Sequence, residues 1–136
     1  NSILATQEAK KRGFDDGLLL DMHGFVAEGP GANFFYEKDG VIYTPPAGSI
    51  LPGITRKTVI SICRELEIPV EETLFRPEDL YEADSAFFSS TMLEIVGIES
   101  IEGQPFRKKW KGSLSAHIQE TYRCIVLDKS YSYVIV

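Results

Sequence analysis

The chain is poor in the residues that build metal centres and disulfide frameworks, with two cysteines and two histidines in 136 residues. Cys63 and Cys124 stand far apart, with no CxxC and no Cys/His spacing beside them, so the pattern offers neither a zinc site nor a cystine scaffold. A reduced, cytoplasmic setting is the expectation. Positive charge is scarce as well: 14 Lys and Arg against 20 Asp and Glu leave a formal charge of −6. A general nucleic-acid surface needs clustered bases. The two short clusters, Lys10-Lys11-Arg12 and Arg107-Lys108-Lys109, are expected to be solvated faces. No apolar run approaches the roughly 18 residues that cross a bilayer, and no secretory leader is read at the start. Asn1 opens directly into helix-like sequence, as though the chain had been cut inside a larger protein.

What is present suffices for a core. Hydrophobic residues make up 43% and aromatic residues 11%, and the length fits one domain, residues 1–136. Residues 1–12 suit a helix that ends at Gly13. Leu18-Leu19-Leu20 and Phe25-Val26-Ala27 read as a hairpin around His23-Gly24, with Glu28 at the end of its second strand. Residues 33–36 and 41–44 flank Asp39-Gly40, the strongest short hairpin signal in the sequence. The two hairpins are expected to be neighbours in one antiparallel sheet.

Beyond the Pro45-Pro46 loop, apolar spacing at Val59, Ile62 (or Cys63) and Leu66 predicts a helix over 54–67, ended by Ile68-Pro69-Val70. A strand is expected over 70–75. A short helix start follows at 76–80, with proline near its first position. Ser85 to Phe88 reads as a buried strand running into Ser89-Ser90-Thr91, and 94–101 as another strand turning at Glu102-Gly103. Residues 113–126 suit a helix with Leu114, Ile118, Tyr122 and Ile125 on one face. Residues 131–136 suit a last strand or a tail. The expected fold is mixed α/β (α+β): a mostly antiparallel sheet or pseudo-barrel with flanking helices.

Three segments could carry chemistry. Gly53 just before a helix leaves free N–H groups at its positive end, where phosphate binds, and Thr55 could add a hydroxyl. On its own the plainer reading leads: an ordinary helix start with Thr55 as an N-cap-type residue. Ser89-Ser90-Thr91 puts hydroxyls at a strand end, which could complete a phosphate pocket, hold a carboxylate or simply form a turn. Glu28 stands on a constrained loop, Ala27-Glu28-Gly29-Pro30-Gly31-Ala32-Asn33. Against a pyridine nitrogen its carboxylate would favour the pyridinium form; the plainer reading is a solvated acid.

Taken in order, Glu28-Gly29-x-Gly31-x-Asn33-Phe34-Phe35, Thr44-Pro45, Leu51-Pro52-Gly53-Ile54-Thr55-Arg56 and Ser89-Ser90-Thr91 resemble the second half of the branched-chain aminotransferase-like enzymes. These are the fold type IV, or class IV, pyridoxal-phosphate aminotransferases. The resemblance implies a pyridoxal 5'-phosphate site in which Glu28 meets the pyridine nitrogen and Leu51 packs on the ring. Gly53, Ile54, Thr55 and Thr91 would hold the phosphate, and Thr91 and Met92 would face the substrate carboxylate. It also implies that the Schiff-base lysine and a small N-terminal domain lie upstream of Asn1, since nothing here matches the family's Lys-x-x-x-Asn-Tyr motif. No catalytic residue is therefore assigned within the chain. Alone it is expected to be inactive, to hold the cofactor weakly at best, and to dimerise through the face left uncovered.

The implied partners are an amino acid, branched-chain or of D configuration, and a 2-oxo acid. Met92 and Leu93 stand where branched-chain members usually have small residues, which keeps the donor class open. An aminodeoxychorismate lyase-like elimination and a non-catalytic module that binds a phosphorylated ligand or another subunit remain alternatives. The sequence upstream of Asn1 would decide between enzyme and module.

Overall fold

The computed structural model describes residues 10–11, 17–29, 32–46, 53–90 and 94–130. Of the first predicted helix only Lys10 and Lys11 fall among them; both are helical and exposed. The predicted last segment, 131–136, lies outside the described residues. Seven strands form the main sheet: β1 (Leu19–Leu20), β2 (Val26–Gly29), β3 (Ala32–Lys38), β4 (Val41–Thr44), β5 (Val70–Glu72), β6 (Ser85–Ser90) and β7 (Glu94–Gly97). Helices α1 (Ile54–Glu65) and α2 (Leu114–Ser130) cover one face, and β8 (Ser100–Ile101) pairs with β9 (Gln104–Pro105) as a separate hairpin. The class is the one expected, mixed α/β with a mostly antiparallel sheet; β4–β5 is the one parallel pair among the described strands.

β3 organises the sheet because its two faces bury different things. Phe35 stacks on Phe87 of β6 at 4.8 Å between ring centroids and packs with Ile42, Val59, Ile62, Cys63 and Ile118 beneath the helices. Phe34 and Tyr36, of opposite parity, join Val26, Phe75, Leu80 and Ala86 on the other face. Asp39 (φ 51°) and Gly40 (φ 81°) supply the left-handed turn into β4 that the Asp-Gly pair predicts.

One edge of β3 pairs with β6 from Asn33 to Glu37. Its other edge is divided, with β2 beside residues 32–33 and β4 beside residues 36–38. Where the partners part, the Thr44 hydroxyl donates to the Phe34 carbonyl at 2.8 Å, and Phe75 O accepts from Val26 N at 2.9 Å. The fork therefore closes without an orphaned carbonyl at Phe34.

Several boundaries differ from expectation. The helix over 54–67 stops at Glu65 because Glu67 takes a left-handed conformation (φ 60°), with Ile68 N bonded to Cys63 O and Glu67 N to Arg64 O. That is a Schellman ending with glutamate where glycine usually stands, and Pro69 is not needed for it. The strand over 70–75 keeps only three residues, since Phe75 leaves to fill the fork. The strand over 94–101 is two, because Ile98 N bonds back to Ala86 O and the chain then turns into β8.

Gly97 lies under the chain's single tryptophan: a Cβ there would meet the Trp110 ring at 2.9 Å. Gly97→Val is expected to lift the indole off β7, read as a red shift and loss of Trp fluorescence intensity in the folded protein. An unshifted spectrum would contradict this packing. Among the described residues no helix is long and apolar enough to cross a membrane.

Candidate functional site

A row of paired residues crosses the helix-covered face at one end of the sheet: Glu28 opposite Asn33, Asn33 opposite Ser89, and Ser89 opposite Ile95. Directly paired residues project to the same face. Glu28 reaches that face because of an irregularity in its own strand's pairing with β1. Leu19 pairs with Glu28 and Leu20 with Val26, leaving Ala27 as the extra residue of a β-bulge. The bulge breaks the alternation along β2, so Val26 enters the core on the far face while Glu28 sides with Asn33. Glu28 is partly buried, and that burial raises its carboxyl pKa above the ordinary 4.5. It is thus not the solvated loop acid of the plainer reading.

The start of α1 sits over the middle of this row. Gly53 is its N-cap residue, in an extended conformation (φ −98°, ψ 153°), with no side chain capping the helix and no acid in the first turn. Thr55 therefore occupies the second helical position and is not the cap, a correction to the plain helix-start reading. The absence of Cβ at Gly53 is a matter of space, for a Cβ would stand 2.7 Å from Asn33 Oδ1. Uncapped N–H groups at the positive end of a twelve-residue helix favour an anion.

Arg56, which carried no role in the sequence reading, and Ser89, one of the three candidate hydroxyls, complete the surroundings. Arg56 is buried to 3% exposure and donates through Nη2 to Pro45 O at 3.0 Å and Glu72 Oε1 at 2.8 Å. It ties the first turn of α1 to the end of β4. Ser89 is not in a turn; it is the fifth residue of β6, 1% exposed, and its hydroxyl has no partner. The Ser-Ser-Thr spelling marks hydroxyls near a strand end, but which of them is buried depends on pairing that only the fold supplies.

Of the residues expected at the site, Glu28 and Gly53 are brought together through Asn33, with the backbone of Ile54 and Thr55 in the adjoining turn. Leu51, Thr91 and Met92 lie outside the described residues. No described lysine stands in the row: Lys38 pairs with Glu82 and Lys108 with Glu37, and Lys10, Lys11 and Lys57 are exposed. Lys108 also corrects the reading of its basic cluster as merely solvated. Gly53→Ala is expected to cost about 1–3 kcal/mol, as overpacking does, because the backbone suits alanine while buried Asn33 blocks its methyl. Thermal denaturation would show the loss; an unchanged midpoint would mean that Asn33 can move aside.

A half-buried carboxylate at one end of the row and an uncapped helix start over its middle could together meet a molecule with a proton-bearing group and an anionic group. Amino-transferase class IV is the family whose profile matches residues 1–101, and the chain belongs to that family. The particular relatives are branched-chain enzymes. A branched-chain-amino-acid aminotransferase of Pseudomonas aeruginosa is 38% identical over 133 residues, covering 98% of this chain and 43% of that one. The branched-chain aminotransferase of Thermoproteus uzoniensis, solved with norvaline, shares 45% identity with a TM-score of 0.87 over 98% of this chain and 44% of that one. That of Thermobaculum terrenum in its PLP form shares 36% with a TM-score of 0.90 over 97% and 44%. The chain spans about two fifths of the length of these proteins.

Pyridoxal phosphate is the cofactor of this family. The residues present fit it. Glu28 offers a carboxylate whose burial rewards a positively charged partner, the start of α1 offers uncapped N–H groups, and Ser89 holds a buried hydroxyl that no protein group claims.

Proposed function

We propose that these 136 residues form the cofactor-binding C-terminal domain of a class IV aminotransferase that moves an amino group from an amino acid to a 2-oxo acid. The observation that carries the reading is the Glu28–Asn33–Gly53 juxtaposition, which sets a carboxylate and a helix start beside one another on a single face.

In this proposal Glu28 holds its negative charge against the ring nitrogen and favours the protonated form. Gly53 lets the chain approach closely, and the N–H groups of Ile54 and Thr55, with the Thr55 hydroxyl and Thr91, hold the phosphate. Leu51 packs against the ring, while Thr91 and Met92 meet the substrate carboxylate. Bound there, the cofactor supplies an electron sink for the electron pair left at the substrate α-carbon. No described lysine stands beside this row, so the amine that such chemistry needs would come from elsewhere in the protein.

The names of the relatives favour a branched-chain amino acid as donor over a D-amino acid. We read the protein as a cytoplasmic homodimer. The test is a titration of the chain with pyridoxal phosphate and with pyridoxal, followed by absorbance. Tighter binding of the phosphorylated form is expected, and equal binding of the two compounds would refute the site.

A further inference from the structure

Among the described residues, two buried side-chain polar atoms lack a partner, Arg56 Nε and Ser89 Oγ. Arg56 is in the first turn of α1, and Ser89 pairs across the sheet with Asn33, against which Gly53 is pressed. Arg56 has its other bonds to Pro45 and Glu72. Ser89 is the unexplained one. A buried hydroxyl without a partner is a standing cost to the fold.

We propose that Ser89 is a further phosphate-binding residue, serving the anion at the start of α1 from the sheet face that the helix start covers. A hydroxyl already bonded to the protein would have to break that bond to turn toward an arriving anion. The Ser89 hydroxyl has none to break, so its O–H dipole is free to align with negative charge in a setting of low dielectric, where such alignment is strong. Stability is spent on keeping that dipole unclaimed. The inference rests on the phosphate reading of the site.

The experiment compares wild type, Ser89→Ala and Ser89→Thr by thermal denaturation without ligand and by titration with pyridoxal phosphate and pyridoxal. Ser89→Ala is expected to melt at the same or a higher temperature. It should lose about tenfold of the preference for the phosphorylated compound, the scale of one hydrogen bond to a charged group. Ser89→Thr, which keeps the hydroxyl, should recover most of that preference. Opposite movement of melting point and phosphate selectivity is something a structural hydroxyl does not produce. An unchanged preference in Ser89→Ala, or equal weakening toward both compounds with a lower melting point, would overturn the proposal while leaving the site intact. A wild type without preference would overturn the site and this inference together.

Discussion

Replacing Glu37 by alanine is expected to lower the thermal midpoint by about 10–15 °C, the equivalent of about 3–5 kcal/mol in a chain of this size. Glu37 is a wholly buried carboxylate on the helix face of β3. Its Oε1 accepts from Ser85 Oγ at 2.8 Å and from Leu114 N at 2.9 Å, while Oε2 accepts from Lys108 Nζ at 2.8 Å. Ser85 in turn shares a bond of 2.6 Å with Ser115. The carboxylate thus takes the first N–H of α2 from the side, at the positive end of the helix dipole, while Ser113 Oγ caps Ala116 N at 3.1 Å.

Alanine would leave the buried donors Leu114 N and Ser85 Oγ, and the Lys108 ammonium, without their acceptor, and would loosen α2 from the sheet it covers. Domains hold roughly 5–15 kcal/mol in total, so the loss is a large share of it. Glu37→Gln should fall between, because its amide would turn a donor toward the Lys108 ammonium. The Lys108 side chain is 45% exposed, so water replaces much of what it gives and Lys108→Met should cost less. Its hydrogen bond to Glu37 raises the lysine pKa above 10.5. That contribution is fully present below the ordinary value and is lost as pH rises through the raised one, so wild type and Lys108→Met should converge in alkaline solution. Thermal denaturation checks the first statement, and a midpoint shift in Glu37→Ala under about 3 °C would contradict it. Urea denaturation of wild type and Lys108→Met at pH 7 and in increasingly alkaline solution checks the second, and a gap that does not narrow with rising pH would contradict it.

On the proposed function, Glu28→Gln should reduce kcat/KM of the whole protein by about 100- to 1000-fold, the scale of removing one preorganised electrostatic partner. Glutamine keeps the shape but cannot hold a proton-bearing ring nitrogen with a negative charge. The same change should act oppositely on stability. Burial raises the Glu28 pKa, so the folded chain binds the proton more tightly than the unfolded one. Its contribution is fully present below the ordinary 4.5 and disappears as pH rises through the raised value. Without cofactor, the variant should therefore be the more stable protein at neutral pH and lose that advantage at pH 4. Denaturation at the two pH values gives the sign directly, and a variant less stable at pH 7 would argue that Glu28 already has a cationic partner.

Much of the architecture was legible because it rests on local rules. Asp39-Gly40 dictates a left-handed turn, so the hairpin around it could be placed to within a residue or two. The stripe at Val59, Ile62 and Cys63 has helical spacing and turned out to face the core. Glu37 gave no such signal. Read along the sequence it is one acid near the end of a strand, and its burial follows from Lys108 and Leu114, more than seventy residues away.

The sequence by itself determined the family and the mixed fold, and it singled out the segments proposed for the chemistry, since composition, period and motif order are properties of a linear chain. The tertiary structure decided which of those segments meet. The extra residue at Ala27 turns Glu28 to the face of Asn33, Asn33 brings that face against Gly53, and pairing with β6 buries Ser89 beside it. A one-residue irregularity in a strand reverses which way every following side chain points. Sequence alone does not fix that reversal, because it depends on which strand lies opposite.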